Sequence, residues 1–324
     1  MVMADTAAAI RLVRPEDQAP VDFRDAVRAR LEQDAMSHAR AAREIGISAP
    51  AFTQWLNGNY PSEHRALTAK IDRWLRVRVE RQLEIDAAPE VPGFRMTPTA
   101  KRIVATLKYA QTFGDMVEVY GLPGTSKTFT ARHYRDENPN VWIATIVPDC
   151  AATQPALDEI AETVGAGVGL GLGTRKLARN ICAKIEKTRG LLIVDEAQHL
   201  TITALEEIRS LHDRTGIGLA LMGSIVLHSR LTAGSRAEHM AQLFSRIGVR
   251  LSIRQPSAGD IGAILDAWKV RGAEERAYLG EIGVKAGALR VMTKAIRLAF
   301  ATADDGHPTL EDFQAAWRQI GAYE

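Results

Sequence analysis

Cysteine is almost missing from this sequence: Cys150 and Cys182 are the whole supply, and neither lies in a CxxC or Cys/His ligand spacing. That argues against a disulfide framework or a structural zinc site and leaves two reduced thiols, as expected of a cytoplasmic protein. Long apolar runs are missing too: none reaches the ~18 residues that a membrane helix requires, so no membrane partner is expected. The first ten residues have no basic flank and do not read as a signal peptide. Charge of one sign is not in excess, since 41 Lys and Arg stand against 39 Asp and Glu, a formal net charge of +2. No global field draws in a polyanion, so any contact with nucleic acid has to come from local patches. Internal repeats are absent, and the one low-complexity patch is the glycine-rich run at 165–173. What remains is an ordinary globular composition, 46% hydrophobic and 25% charged over 324 residues, with room for two domains and a small third piece.

Residues 1–21 are Ala-rich, broken by Pro15 and Pro20, and read as a loose tail. A helix is expected from Asp22, with Phe23, Val27 and Leu31 on one face. A second runs from Ser37 to about Ile45 and is stopped by Gly46; Ser48 caps a third, with Pro50 tolerated in its first turn. Asn57-Gly58-Asn59 ends it, and a long helix follows from Ser62 past Trp74 to Leu83. Ala87-Ala88-Pro89-Glu90-Val91-Pro92-Gly93 then marks a linker. Beyond it, an amphipathic helix at 97–113 precedes five β-rich runs at 116–120, 141–146, 191–194, 218–222 and 249–253, separated by helical stretches. That alternation predicts an α/β fold, a parallel sheet covered on both faces. From Gln255 onward only helices are expected, at 261–268, 276–286, 289–303 and 310–320. The expected layout is a tail (1–21), a small all-α domain (22–84), a linker (85–96), an α/β core (97–254) and a helical C-terminal subdomain (255–324).

Gly121-Leu122-Pro123-Gly124-Thr125-Ser126-Lys127-Thr128 follows an expected strand and opens an expected helix, the context a Walker A loop requires. Backbone N–H groups there point at phosphates; Lys127 neutralises phosphate charge, the Thr128 hydroxyl ligates Mg²⁺, and Phe129 continues the contact. The glycine usual before the lysine is Ser126, at a position where positive φ costs serine more than glycine. About seventy residues on, Leu191-Leu192-Ile193-Val194-Asp195-Glu196 is an apolar strand ending in two carboxylates. Asp195 is placed to hold Mg²⁺ and Glu196 to polarise the attacking water as general base. Ser224, after Met222-Gly223 at the end of the fourth run, is the candidate sensor of the γ-phosphate; Gln198 and His199 follow Glu196 and can touch the site or a neighbour.

The span from Gly121 to Arg290 resembles an AAA+ module of the initiator-like branch, and especially the transposition ATPases of the phage Mu B protein family. The residues that carry the resemblance are those at 121–128, Asp195-Glu196-Ala197-Gln198, Gly223-Ser224, Phe244-Ser245-Arg246 and Gly287-Ala288-Leu289-Arg290. The order of a repressor-like N-terminal domain, one AAA+ module and a short helical end also matches that family. The resemblance implies ATP bound between subunits, with Arg246 completing a neighbour's site and Arg290 acting as a second sensor; Arg230 and Arg236 are fallback fingers. It further implies a homo-oligomer, filament or ring, that assembles on target DNA, hydrolyses ATP and delivers the target to a transposase.

At the N-terminal end, residues 37–58 fit a helix-turn-helix, Ala42 and Ile47 meeting at the crossing and Phe52, Trp55 and Leu56 turned inward. Ser48, Ala49, Ala51, Thr53 and Gln54 are then presented to the major groove of double-stranded DNA, with Arg40, Arg43, Arg65 and Lys70 near phosphates. That helix carries no Arg or Lys, which predicts weakly specific binding. Arg175 and Lys176, with Thr174 and Arg179, are a second candidate DNA surface after the glycine-rich run; Lys101, Arg102, Lys285, Lys294 and Arg297 are further basic positions. Two other readings fit parts of the pattern: a helicase-loader ATPase, which the helix-turn-helix argues against, and a nucleotide-controlled transcriptional regulator, which Ser126 keeps open.

Overall fold

The computed structural model describes residues 21–61, 65–87, 90–167, 173–232, 245–303 and 306–320. The tail before residue 21, the expected helix start at Ser62, most of the glycine-rich run (168–172), Phe244 and Arg236 lie outside them. The chain forms two compact units that divide at about residue 88. Among the described residues no helix is long and apolar enough to cross a membrane.

Among the described residues the first unit holds four helices, α1 (Val21–Gln33), α2 (His38–Ile45), α3 (Ala49–Leu56) and α4 (Arg65–Ala87). Their ends are written locally. Ser37 Oγ accepts from Arg40 N–H and Ser48 Oγ from Ala51 N–H, while Gly46 closes α2 in the left-handed conformation. Phe23, Val27 and Leu31 of α1 recur at helical spacing and meet Ala41, Ala42, Phe52, Trp55, Leu56, Ile71 and Leu75 in one core. Trp55 is fully buried; its Nε1–H donates to Thr68 Oγ1 at 2.9 Å and its ring meets Phe23 edge-on at 5.6 Å. On the outer face Arg78 of α4 bridges Asp34 and Glu44, tying α4 to α2 and to the turn after α1. The helix α4 continues to Ala87, beyond the expected stop at Leu83 and into the stretch read as linker. Nothing before Pro89 prevents it: 83–88 contains no Gly or Pro.

The second unit begins with α5 (Pro98–Phe113) and then alternates: β1 (Met116–Gly121), α6 (Lys127–Glu137), β2 (Val141–Thr145), α7 (Thr153–Val164), α8 (Thr174–Ile185), β3 (Leu191–Asp195), α9 (Ile202–Thr215), β4 (Gly218–Gly223), α10 (Ile225–Thr232) and β5 (Ile247–Ile253). All five expected strands are present and pair in parallel, in the order β2-β3-β4-β1-β5. Alternate strand residues serve opposite faces. Leu192, Val194, Leu219 and Leu221 pack under α7, α8 and α9, whereas Val117, Val119, Ile193 and Ala220 pack under α5 and α6. Both faces are thus covered, and the loops after the strands all open at one end. Since β4 lies between β1 and β3, the residues just past β4 stand between the β1–α6 loop and the turn after β3.

The helical end comprises α11 (Ala258–Ala267), α12 (Ala273–Gly283), α13 (Ala288–Thr302) and α14 (Leu310–Ile320), around Trp268, Leu279, Met292, Ile296 and Phe313. Fully buried Asp260 joins it to the core: Oδ1 accepts from Thr99 N–H at 2.7 Å and Oδ2 from the Thr99 hydroxyl at 2.6 Å, while Ser257 and Asp260 complete a capping box. Burial alone raises the Asp260 pKa, but the hydrogen bonds from Thr99, Thr97 and Ser257 outweigh it and hold the carboxyl below the usual range. A lowered folded pKa means that the contribution is complete above the ordinary aspartate range and is lost as pH falls through the folded value. Asp260→Ala is expected to cost about 2–3 kcal/mol. Urea unfolding of wild type and variant as a function of pH checks both points, the gap between them closing in acid.

Candidate nucleotide site

The loop between β1 and α6 carries the phosphate-binding pattern on tightly constrained backbone. Gly124 has φ +79°, and a Cβ built there would collide with the backbone carbonyl of Gly287 at the start of α13. Ser126, at φ +61°, is left-handed without glycine's freedom, and its Oγ is buried with no hydrogen-bond partner among the described residues. Left-handed backbone costs an L-residue roughly 1–2 kcal/mol. Relief of that strain in Ser126→Gly is expected to raise the melting midpoint of this unit by about 2–4 °C per kcal/mol recovered, as calorimetry would register. Leu122 and Pro123 are exposed, and buried Thr125 donates from Oγ1 to Leu122 O at 2.9 Å.

Lys127 opens α6 and curls back over the loop, its Nζ donating to Gly121 O at 3.0 Å and Leu122 O at 2.8 Å. Burial pushes its pKa down; Asp195 and Glu196 oppose this and Arg290 adds to it. Next to it Thr128 Oγ1 donates to Asp195 Oδ2 at 2.7 Å. Asp195, at the end of β3, is almost fully buried, and burial pushes its pKa up against the hydrogen bonds from Thr128 and the Glu196 N–H. Glu196 leaves the strand at φ +55°. Gln198 Nε2 donates to its carboxylate, and Gln198 Oε1 accepts from the N–H of Ser224, just past β4, at 3.0 Å. Thus Lys127, Thr128, Asp195, Glu196 and Ser224 all gather at the open end of the sheet. Thr128 and Asp195 offer hard oxygens of the kind Mg²⁺ prefers, beside an ammonium suited to phosphate. Phe129 is 54% exposed; its ring lies 5.5 Å from that of Phe94, which stacks on His133 at 3.9 Å.

The arginines divide. Arg290, on the first turn of α13, is exposed and close enough to act on Lys127, and its Cβ sits 3.4 Å from where a Gly124 Cβ would be. Arg246 is exposed before β5, its Nε 3.8 Å from Asp213 Oδ1. Arg230, one of the fallback fingers, is committed within its own chain: it donates to the carbonyl oxygens of Gln198 and Leu200.

The candidate DNA contacts are equally uneven. In the first unit Ser48 and Gln54 are exposed, whereas Ala49 packs partly on the core, Ala51 is half-buried, and the Thr53 hydroxyl lies 3.5 Å from His38 Nδ1. A helix of two turns packed through Phe52, Trp55 and Leu56 has too narrow an outer face to present all five. Arg40 and Arg43 are exposed, Arg40 reaching Glu44 at 3.4 Å, and Arg65 is exposed on α4. In the second unit Arg175 and Lys176 are exposed in the first turn of α8, where the helix dipole disfavours cations.

Sequence reading named Gln198 as able to touch the site and Gly287 within the 287–290 motif, but not their contacts, the Gln198 amide between Glu196 and Ser224 and the Gly287 carbonyl against Gly124, and it passed over Asp260 beneath Thr99. Only Gln198 carried a signal, its place two residues after the base; the others depend on which elements pack together.

Two family models match the chain, "AAA domain" over residues 114–231 and "Mu B transposition protein, C terminal" over 245–320. The chain is 36% identical over 303 residues to the ATP-dependent target DNA activator B of Escherichia phage Mu, covering 92% of this chain and 95% of that protein. It is 33% identical over 269 residues to DNA transposition protein B of the Mu-like prophage FluMu of Haemophilus influenzae, covering 82% and 91%. Among solved structures, a Walker-type ATPase of Pyrococcus abyssi superposes with a TM-score of 0.51 at 13% identity, over 70% of this chain and 72% of that one. Drosophila ORC bound to DNA superposes with a TM-score of 0.50 at 14% identity, over 74% and 65%. These two speak for the fold alone. Identity of 36% over 92% of the chain reflects common descent, and the chain belongs to the phage Mu B family of AAA+ transposition ATPases.

Proposed function

We infer that this chain is an ATP-dependent activator of target DNA in transposition, one that assembles on duplex DNA with ATP and hands the target to a transposase. The observation that carries the reading is the gathering of Lys127, Thr128, Asp195 and Glu196 at one end of the sheet, in a chain related along nearly its whole length to target DNA activators. Loop N–H groups and Lys127 bind the phosphates of ATP. Thr128 and Asp195 hold Mg²⁺, which would neutralise phosphate charge when bound. Glu196 takes the proton of the attacking water, and Ser224 senses the γ-phosphate. Arg290 reads the nucleotide within the subunit, while Arg246, exposed on the surface, completes the site of a neighbouring copy. ATP therefore favours the assembled state, and hydrolysis dissolves it.

DNA is held by the helix-turn-helix and by the ATPase unit. Gln54 and Ser48 meet the groove, Arg40, Arg43 and Arg65 the phosphates, and Arg175 and Lys176 a second stretch of backbone. Contacts of this kind are mostly electrostatic, so binding is weakly specific and falls steeply with salt. The role places the protein in the cytoplasm, on DNA.

The test is assembly size with ATP, with and without generic duplex, for wild type and Glu196→Gln. Large assemblies that need both ATP and DNA, and that Glu196→Gln traps, are the expected result. A protein that stays small on generic duplex and binds one operator tightly would instead be a transcriptional regulator.

A further inference from the structure

We propose that Gln198 is a positioning residue for ATP hydrolysis: its side-chain amide ties the carboxylate of Glu196 to the tip of β4, so that this strand end sets where the base stands. The proposal rests on the reading of Glu196 as general base.

Glu196 needs such a tie. It leaves β3 in left-handed backbone, and a glutamate with three free torsions cannot by itself keep its carboxylate aimed at one point. Gln198 supplies the missing restraint through both ends of one planar group. Its Nε2 donates to Glu196 Oε2 and its Oε1 accepts from Ser224 N–H at 3.0 Å. These two bonds also fix which way the amide faces, because a flipped group would set oxygen against carboxylate and NH₂ against N–H.

The amide is braced in turn. The Gln198 carbonyl accepts from Arg230 of α10, whose guanidinium also donates to Leu200 O at 2.8 Å, so the short turn after β3 is clamped to the helix after β4. On the other side Gly223 leaves no spare room, since a Cβ there would collide with Gln198 Oε1. Shift of the Ser224 N–H therefore carries the amide with it, and the amide carries the carboxylate. Residue chemistry at position 198 is narrow: glutamate accepts from Ser224 but repels Glu196, and asparagine is one methylene short of spanning both.

The experiment compares wild type, Gln198→Glu, Gln198→Met, Glu196→Gln and the double variant Glu196→Gln/Gln198→Glu in steady-state ATPase, in titration with a fluorescent ATP analogue and in thermal unfolding. Gln198→Glu keeps the acceptor for Ser224 but replaces the donor to Glu196 with a repelling carboxylate. It is expected to lower kcat about ten- to hundredfold, with KM and analogue affinity within about twofold of wild type. Gln198→Met keeps the volume, removes both bonds and is expected to lose kcat alike, which serves as the second reading if the new carboxylate disturbs folding. In the Glu196→Gln background the same change should cost less than about twofold more, because no base remains to be misplaced. Full turnover in Gln198→Glu and Gln198→Met, a loss confined to KM, or losses that simply add in the double variant would each overturn the proposal. Unimpaired turnover in Glu196→Gln would instead overturn the reading of Glu196 as base.

Discussion

Glu196→Gln is expected to lower ATP turnover by about 10²–10⁴-fold, the usual worth of a general base, while nucleotide affinity stays within about twofold. The two effects separate because of where the residue stands. On the proposed function, phosphate binding is the work of the loop N–H groups, Lys127 and the Thr128–Asp195 pair, all of which the substitution leaves in place. The amide is isosteric, so the strand end, its left-handed φ and its place beside Gln198 can persist. What is lost is only the capacity to take up a proton. Single-turnover hydrolysis and equilibrium titration with an ATP analogue measure the two quantities independently. Turnover within tenfold of wild type would mean that another group activates the water, and Asp195, already committed to Thr128, would be the next to examine.

Trp55→Ala is expected to unfold the first unit. Truncating a buried tryptophan costs about 3–5 kcal/mol through lost contact and the cavity left behind. Here the indole is the centre of the unit: Phe23 packs against it from α1, Arg24 lies over the ring at 5.6 Å, and its N–H satisfies Thr68 of α4. Small single-core domains of this size rarely hold more than ~3–5 kcal/mol in reserve. The penalty is therefore as large as the whole margin, and there is no second core within the described residues of 21–87 to retain part of the fold. Hydrogen exchange on the full chain should show protection vanishing from α1 to α4 while the strands β1 to β5 remain protected. Undiminished protection in α3 would mean that the indole is not what holds the helices together. Tryptophan at position 55 thus matters through packing, although it lies in the helix read as DNA-facing.

Much of this was legible because it is local. The cap at Ser48 acts on the N–H three residues ahead, so residue identity nearly suffices to place it, and Ser37 and Thr97, read as helix starts, cap in the same way. Phe23, Val27 and Leu31 announce a buried face by spacing alone, and the five strands announce themselves as apolar runs between helices. Within the site, Lys127 and Thr128 are neighbours in the first turn of α6, and Asp195 and Glu196 at one strand end.

The rest was not legible because it depends on which elements lie side by side. Thr128 and Asp195 are 67 residues apart and Ser224 and Gln198 are 26 apart; the pairs meet because β1, β4 and β3 lie in one parallel sheet with their C-terminal ends together. Thr99 and Asp260, 161 residues apart, meet only because the helical end folds back against α5. Arg230 could be read as a free finger until its carbonyl partners were in view, and the share that Ala49 and Thr53 take in packing α3 was equally hidden. Sequence by itself determined the elements, the Ser48 cap, the family and the phosphate-binding pattern of residues, since these derive from short-range geometry and residue type. Tertiary structure alone decided the strand order, and with it which side chain steadies the base, because periodicity specifies the face a residue serves and not the strand that will lie beside it.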